Sequence, residues 1–500
     1  MPEIQRVTGS KTNRDTIVSL FEGAVFLEPI GTPEIKLRIE RDNPWWADHA
    51  PEILEAKYQR RVYFSSFKTL ALNFNVRRAA ILLGPRRVGK TVIIKQLIHE
   101  AIVDGINPKH ILYASIDAPI YSGISLEKFL EFLPESSRDQ RRVVIFDEIQ
   151  YLKDWEIHMK DLVDNYPETK FVASGSAAAA LRLKSRESGA GRFSEFMLPP
   201  LTFYEFLKFT GDDDRLITVE GKSQYSSKDI DALNGRFVDY LNFGGYPEAV
   251  LNEEVRKNAE QFIRNDIIDK VLLKDLPSLY GINDIQGLNQ LFSFLAYNAG
   301  AEASLENISQ ASGLAKPTIK KYIDYLESAF LILKLSTVDD NCRTMKRERN
   351  FKIYLNNPSM RAALFAPVRI DEPDKIGHLA ESAIFAQWQH SQNFRKLRYA
   401  RWRNEGEVDI VFLRQPDEKP YWIGEIKWSD QVTKKYGEET KSLAVLLRNH
   451  KSIEAAFLTT KTFTKQGGIL EGRPLKIVPC SLYCYTVGRN ITADLDKAGQ

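Results

Sequence analysis

The run Gly84-Pro85-Arg86-Arg87-Val88-Gly89-Lys90-Thr91 has the glycine spacing and Lys-Thr ending of a loop that wraps phosphate. Glycines let the backbone close around anionic oxygens, and the helix that follows presents free amides and a partial positive charge. Lys90 is placed to bridge two phosphates, and Thr91 to offer a hydroxyl to magnesium. Downstream, Val143-Val144-Ile145-Phe146 runs into the acidic pair Asp147-Glu148. There Asp147 would join the magnesium shell, and Glu148 would orient or deprotonate an attacking water. Ser174 ends the next apolar run, where a hydroxyl can meet the phosphate or the water; Ser174 or Ser176 would also serve as an ordinary helix cap. Arg192, in Gly191-Arg192-Phe193, is a candidate charge-stabilising arginine acting on a neighbouring subunit, or a solvated surface side chain.

A second acidic set lies near the C-terminus. In Glu407-Val408-Asp409-Ile410-Val411, strand alternation puts Asp409 on one face with Glu407 and Val411. In Gly424-Glu425-Ile426-Lys427, it puts Glu425 beside Lys427. Asp, then Glu-x-Lys on neighbouring strands, can hold a hard divalent cation and set a lysine against a scissile phosphate or its attacking water. Glu381, on a helix predicted over 376–390, can add a third carboxylate. A solvated Glu/Lys strand pair is the alternative. Arg395, Lys396, Arg398, Arg401 and Arg403, interleaved with Tyr399 and Trp402, form either a surface that tracks a nucleic-acid backbone or one charged edge strand.

Between the two sets, residues 304–314 read as a capped helix ending in a Gly turn, and Pro317 opens a second helix. Lys316, Thr318, Lys320 and Lys321 sit at its exposed start, where a recognition helix meets the major groove. Arg343, Lys346, Arg347 and Arg349, inside a hairpin-like segment, would contact phosphates as a wing. A winged helix that only packs against its neighbour is the competing reading.

These residues need particular elements to carry them. Short apolar runs at 80–83, 111–116, 143–146 and 171–173 alternate with amphipathic stretches, the rhythm of a buried parallel sheet flanked by helices. The fold class is therefore α/β and multidomain, with five segments. An N-terminal arm (1–60) precedes a P-loop core (61–212), a helical lid (213–300), a winged helix-turn-helix (301–368) and a C-terminal α/β domain (369–500). A length of 500 residues accommodates them, and 43% hydrophobic with 27% charged residues excludes a mostly disordered chain. No apolar run is long enough to span a bilayer, and the first ten residues lack the apolar core of a secretion signal. Three cysteines without CxxC spacing argue for a reducing compartment and against structural zinc, so the expected location is cytoplasmic. The net charge of +3 hides an asymmetry. Residues 1–300 hold 38 Lys+Arg against 42 Asp+Glu, and 301–500 hold 31 against 24, which points to the second half for nucleic acid.

In order, GPRRVGKT, VVIFDEIQYL, ASGSAAAALR, GAGRF with LPPLTFYEFL, and FGGYPE resemble a family of bacterial and archaeal AAA+-type ATPases. In that family a winged helix and a nuclease-like domain of unknown function follow the ATPase. The resemblance covers roughly 40–480 and departs from the family at the alanine run 177–180. It implies an AAA-like core with Lys90, Thr91, Asp147, Glu148 and Ser174 in the roles above, and ATP with Mg²⁺ as cofactors. The C-terminal set, over 376–460, resembles the PD-(D/E)xK restriction-endonuclease fold, particularly its Holliday-junction-resolvase-like branch, with Mg²⁺ or Mn²⁺ at its site. The expected protein is an ATP-hydrolysing, DNA-directed homo-oligomer without a membrane segment, in which the ATPase regulates a metal-dependent nuclease-like domain. The alternative is a nucleotide-state switch whose C-terminal domain binds a partner or DNA without cutting.

Overall fold

The computed structural model describes residues 32–47, 49, 52–133, 141–176, 191–339, 341–344, 349–402 and 406–498. Helices α1 (Thr32–Asp42) and α2 (Phe64–Ala71) precede strand β1 (Ala79–Leu83), which is buried along its whole length. The phosphate-loop motif connects β1 to α3 (Lys90–Val103). Strands β2 (Ile111–Ser115) and β3 (Arg142–Asp147), helix α4 (Trp155–Asn165), β4 (Thr169–Gly175) and β5 (Phe193–Met197) complete the unit. All five strands are parallel, in the order β2-β3-β4-β1-β5. Strands β1 and β3 are therefore separated by β4. Their C-terminal ends face the same edge, where open parallel sheets bind ligands.

Helix α5 (Phe203–Phe209), the antiparallel hairpin β6 (Ile217–Gly221) and β7 (Gln224–Ser227), and α6 (Ile230–Phe243) follow. A series of short helical turns leads through the π-helical segments Arg264–Asp269 and Val271–Asp275 to α7 (Ile285–Tyr297). This region serves two cores. Phe203, Phe206, Phe237 and Tyr240 pack with Ile384, Trp428 and Tyr485 of the C-terminal domain. Ile263, Ile267, Leu288 and Leu291 pack instead with Leu82, Leu97 and the segment that follows α7.

That segment runs β8 (Glu302–Ser304), α8 (Leu305–Ser312), α9 (Lys316–Ser328), β9 (Ile332–Ser336) and β10 (Asn350–Leu355), with an antiparallel sheet ordered β8-β10-β9. The Ser304 hydroxyl caps α8 by accepting from the Asn307 amide at 3.2 Å. Gly313 ends α8 at φ +72°, the left-handed geometry a sharp turn into α9 requires.

Helices α10 (Ser359–Phe365) and α11 (Pro373–Trp388) lead to a six-stranded mixed sheet. Its strands are β11 (Leu397–Trp402), β12 (Gly406–Arg414), β13 (Lys419–Glu425), β14 (Ala455–Thr460), β15 (Lys465–Leu470) and β16 (Arg473–Pro479). The order is β11-β12-β13-β14-β16-β15. The first three strands are antiparallel; β14 returns parallel to β13 after the crossover helix α12 (Lys441–Asn449). Helix α13 (Cys480–Ala498) closes the chain against α11 and α5. Cys342, Cys480 and Cys484 are buried and free. Among the described residues no helix is long and apolar enough to cross a membrane.

Candidate functional site

The phosphate-loop residues meet at the C-terminal edge of the parallel sheet. Pairing of Phe146 with Ala173 carries Asp147 beside Ser174 one residue later. Asp147 is buried and takes hydroxyl donors: Thr91 Oγ1 at 2.8 Å, Tyr113 Oη at 3.0 Å, and Ser174 Oγ. Tyr113, on β2, escaped the sequence reading; its signal is a tyrosine midway along an otherwise aliphatic buried strand. Its phenol pKa is raised by burial and by the Asp147 charge, so it stays a donor. A hydroxyl and a carboxylate in direct contact beside the loop fit a magnesium ion, and Thr91 and Asp147 would hold it.

Glu148 lines the adjoining cavity of about 840 Å³ together with Lys90, Thr91, Arg86, Arg87 and Pro247. It sits at φ +53°, an uncommon backbone for a non-glycine residue and of the kind that clusters at functional sites. Gln150, also absent from the sequence reading, donates to its carboxylate and accepts from the Ser176 amide at 3.2 Å. Lys90 is buried and donates to the loop carbonyls of Gly84 at 3.1 Å and Pro85 at 2.8 Å. Burial lowers its pKa, with the charges of Glu148 and Asp147 opposing. Gly84 is fixed by a close approach: a Cβ there would lie 2.2 Å from the Leu198 carbonyl oxygen. Behind the loop, buried Arg61 donates to the Val88 carbonyl at 2.9 Å and pairs with Glu205 at 2.6 Å.

The two loop arginines turn toward the region after α6. Arg86 grips Asp275 through two bonds of 2.9 and 2.8 Å, and Arg87 pairs with Glu248 at 3.0 Å and Asp266 at 2.6 Å. Arg192 stands away from the phosphate site of its own chain. It precedes β5, whose Phe193 pairs with Ala79 at the start of β1, so it stands at the sheet edge opposite the phosphate loop. There it pairs with Asp164 at 2.5 Å. Parallel pairing thus rules out contact with the phosphate site of its own chain. The residues after Ser176, where a helix cap would act, lie outside the described residues, as does the alanine run 177–180.

The C-terminal carboxylates also converge, but around a lysine. Asp409 (β12), Glu381 (α11) and Glu407 (β12) surround Lys352 of β10, with Glu425 at the end of β13 beside Asp409. The Lys352 ammonium lies 3.6 Å from Glu381 and 3.5 Å from Asp409, and pairs directly with Glu407. Tyr354, two residues along the same strand face, donates to Glu381 at 2.8 Å. The Ile426 amide donates to Asp409 at 2.8 Å. Burial raises the Glu381, Asp409 and Glu425 pKa values. The Lys352 pKa rises despite burial, because the charges of Glu381, Asp409 and Glu407 outweigh it. Lys427 points to Glu439 at 2.9 Å and Glu425 at 3.9 Å.

The expected metal ligands Glu381, Asp409 and Glu425 therefore do not fit a metal ion in this arrangement. Among the described residues no group of three or more His, Cys, Asp or Glu is disposed to hold one. The physical reason is the Lys352 ammonium, which sits within 3.6 Å of Glu381 and 3.5 Å of Asp409.

Lys316, Lys320 and Lys321 are exposed on α9, with Thr318 half-buried. Lys316 pairs with Glu306. Arg343 and Arg349 are exposed, whereas Lys346, Arg347 and Arg403 lie outside the described residues. The start of the segment expected to form a wing is docked. The Val338 amide donates to Tyr399 of β11 at 3.0 Å, and Val338 and Cys342 share a core with Ala400 and Val408. Tyr399 points its hydroxyl to Glu302 at 2.9 Å, and Arg401 pairs with Glu302 at 3.4 Å. Two members of the basic-aromatic run on β11 thus face the β8-β10-β9 sheet.

Strand order, phosphate loop and acidic pair define the N-terminal unit as a P-loop domain of the AAA class. Residues 76–207 match the AAA domain family, and residues 234–373 match a domain of unknown function. An uncharacterized protein of Haemophilus influenzae is 28% identical over 267 residues, 52% of this chain and 62% of that protein. Another from Methanocaldococcus jannaschii is 24% identical over 293 residues, 54% of this chain and 59% of the relative. The chain thus spans about three fifths of the length of these curated relatives. Among solved structures, the Orc1 protein of Aeropyrum pernix in complex with DNA superposes with a TM-score of 0.28 at 12% identity, covering 60% of this chain and 91% of that one. Cdc6p of Pyrobaculum aerophilum gives 0.27 at 12%, over 65% and 96%. AMPPCP-bound DnaA of Aquifex aeolicus gives 0.26 at 16%, over 53% and 87%. Scores this low establish no common overall arrangement.

Proposed function

We propose that this chain hydrolyses ATP at the Lys90–Glu148 site and uses nucleotide state to set the arrangement of a DNA-binding winged helix and a C-terminal nuclease-like domain. The observation that carries the reading is the junction of Thr91, Asp147 and Ser174 beside a cavity that also exposes Glu148. In it, Lys90 and the loop amides bind and orient the phosphates, and Thr91 with Asp147 would hold magnesium. When bound, that ion supplies charge neutralisation on the phosphate oxygens. Glu148, steered by Gln150, accepts a proton from the attacking water. The loop arginines report occupancy: Arg86 and Arg87 join the loop to Asp275, Glu248 and Asp266, so phosphate entering the loop competes for them. Measuring ATP turnover in pure wild type and Lys90→Ala tests this; undiminished turnover in the variant would end the ATPase reading.

Support for DNA comes from the exposed lysines on α9, in a helix-turn-helix backed by a three-stranded sheet. Support for a PD-(D/E)xK-like domain comes from strand order and from Asp409, Glu425 and Lys427 meeting at adjacent strand ends. A second reading, in which this domain binds without cutting, is favoured by Lys352 among its carboxylates. Metal-dependent cleavage of linear and branched DNA, with and without ATP, for wild type and Asp409→Asn, separates the two. Cutting that needs Asp409 supports the first; no cutting of any substrate supports the second.

A further inference from the structure

Lys352 is an unusual residue for its position. Strand β10 is the middle strand of its sheet, and both of its faces are covered. Phe351, Ile353 and Leu355 point into the core shared with α7 and α9, while Tyr354 packs in the core of the C-terminal domain. Alternation puts Lys352 on the Tyr354 face, where its side chain is 3% exposed. A lysine rarely accepts such burial without paired charge. Here it faces Glu381, Glu407 and Asp409, while Glu425 Oε2, among the described residues, has no hydrogen-bond partner. One ammonium thus stands where clustered carboxylates would otherwise repel one another. It is delivered by a different domain.

We propose that Lys352 is a tethered cation that occupies the carboxylate site of the C-terminal domain and excludes a divalent metal ion from it. Glu381, Asp409 and Glu425 take a metal ion only where that ammonium is absent. An ammonium and a divalent ion cannot share the centre of one carboxylate cluster: their charges repel and each needs the same oxygen atoms. The contact between β10 and the C-terminal domain is polar at the site, while Tyr354, Leu333 and Leu335 beside it pack in that domain's apolar core. Glu302 meets Tyr399 and Arg401, Tyr354 meets Glu381, and Lys352 meets its three acids. This inference rests on the metal-site reading of these carboxylates, but not on cleavage.

The test is Mn²⁺ binding to the nucleotide-free full-length protein, followed by loss of the free-ion electron paramagnetic resonance signal. Each protein is paired with its Asp409→Asn version to subtract binding elsewhere. Wild type and Lys352→Arg, which keeps the charge, should show no Asp409-dependent binding. Lys352→Met should gain one Mn²⁺ per chain, at least tenfold tighter than anything wild type shows, and its melting temperature should rise with Mn²⁺. Asp409-dependent binding in wild type equal to that of Lys352→Met would overturn the proposal. So would a folded Lys352→Met that binds nothing. If Lys352→Met folds only in the presence of Mn²⁺, the ion has replaced the ammonium and the proposal stands; failure to fold with or without Mn²⁺ overturns it. A chain that passes these tests yet cuts no DNA would lose the nuclease reading and keep this one.

Discussion

The chain carries two acidic centres suited to phosphate chemistry, each with a buried lysine, and they treat that lysine in opposite ways. In the AAA domain the lysine is local: Lys90 belongs to the phosphate loop itself and rests on the Gly84 and Pro85 carbonyls. Hydroxyls from Thr91, Tyr113 and Ser174, rather than a cation, satisfy Asp147, and a cavity of about 840 Å³ stays open beside Glu148. In the C-terminal domain the lysine is foreign: Lys352 arrives from β10 and pairs with the acids directly. Hydroxyl donors leave an acidic site able to take a cation, whereas an ammonium already is one. The difference separates a site ready for ligand from a site held shut by its neighbour.

The largest effect should come at the open site. Glu148→Gln removes the proton acceptor but keeps shape and the bond to Gln150, so ATP turnover should fall by about 10²- to 10⁴-fold while nucleotide binding persists. Equal loss of both in a binding and turnover pair of assays would mean that Glu148 holds the loop rather than the water. Next is the fate of each lysine in folding. Lys352→Ala strips a buried carboxylate cluster of its cation and should cost about 3–5 kcal/mol in denaturant unfolding. Lys90→Ala removes bonds only to carbonyls that border an open cavity, and should cost less than about 1 kcal/mol. Similar losses in the two variants would erase the contrast.

The same difference decides what the amino-acid sequence reveals. The motif residues around the phosphate are local or follow from strand order. The loop is eight consecutive residues, the apolar run 143–146 ends on Asp147 in β3, and Ser174 lies beside it because β4 neighbours β3. Helix-turn-helix boundaries were legible for the same reason, since Ser304 and Gly313 carry cap chemistry in their own side chains or lack of one. Strand β5 was not: as an edge strand paired only to β1, it carries Ser194 and Glu195 and shows no apolar run. The distance of Arg192 from its own phosphate loop was hidden with it, because its position depends on which end of that strand it precedes. Hairpin β15–β16 hides behind Gly467 and Gly468 in the same way. Lys352 is the deepest miss. In Asn350-Phe351-Lys352-Ile353-Tyr354-Leu355 the polar alternate face reads as solvent-facing, and only docking against another domain makes it buried.

A smaller effect probes how tightly the open site is built. Gly84→Ala would place a Cβ 2.2 Å from the Leu198 carbonyl oxygen, a backbone atom that cannot swing aside. The loop must shift, at a cost of about 1–3 kcal/mol in stability by the usual penalty for overpacking. Nucleotide affinity should fall with it, measured by calorimetry. An unchanged affinity would show that the loop tolerates displacement and that its contact with Leu198 is incidental to phosphate binding.

The smallest effects concern the surface that would read nucleic acid. Lys316, Lys320 and Lys321 are exposed on α9, and none is buried among acids as Lys352 is, so they are free to trade solvent counterions for phosphate. Each Lys→Ala change should weaken DNA binding severalfold without regard to sequence, and lower the slope of log affinity against log salt by about 0.9. Lys316 should matter least, since Glu306 already competes for its ammonium.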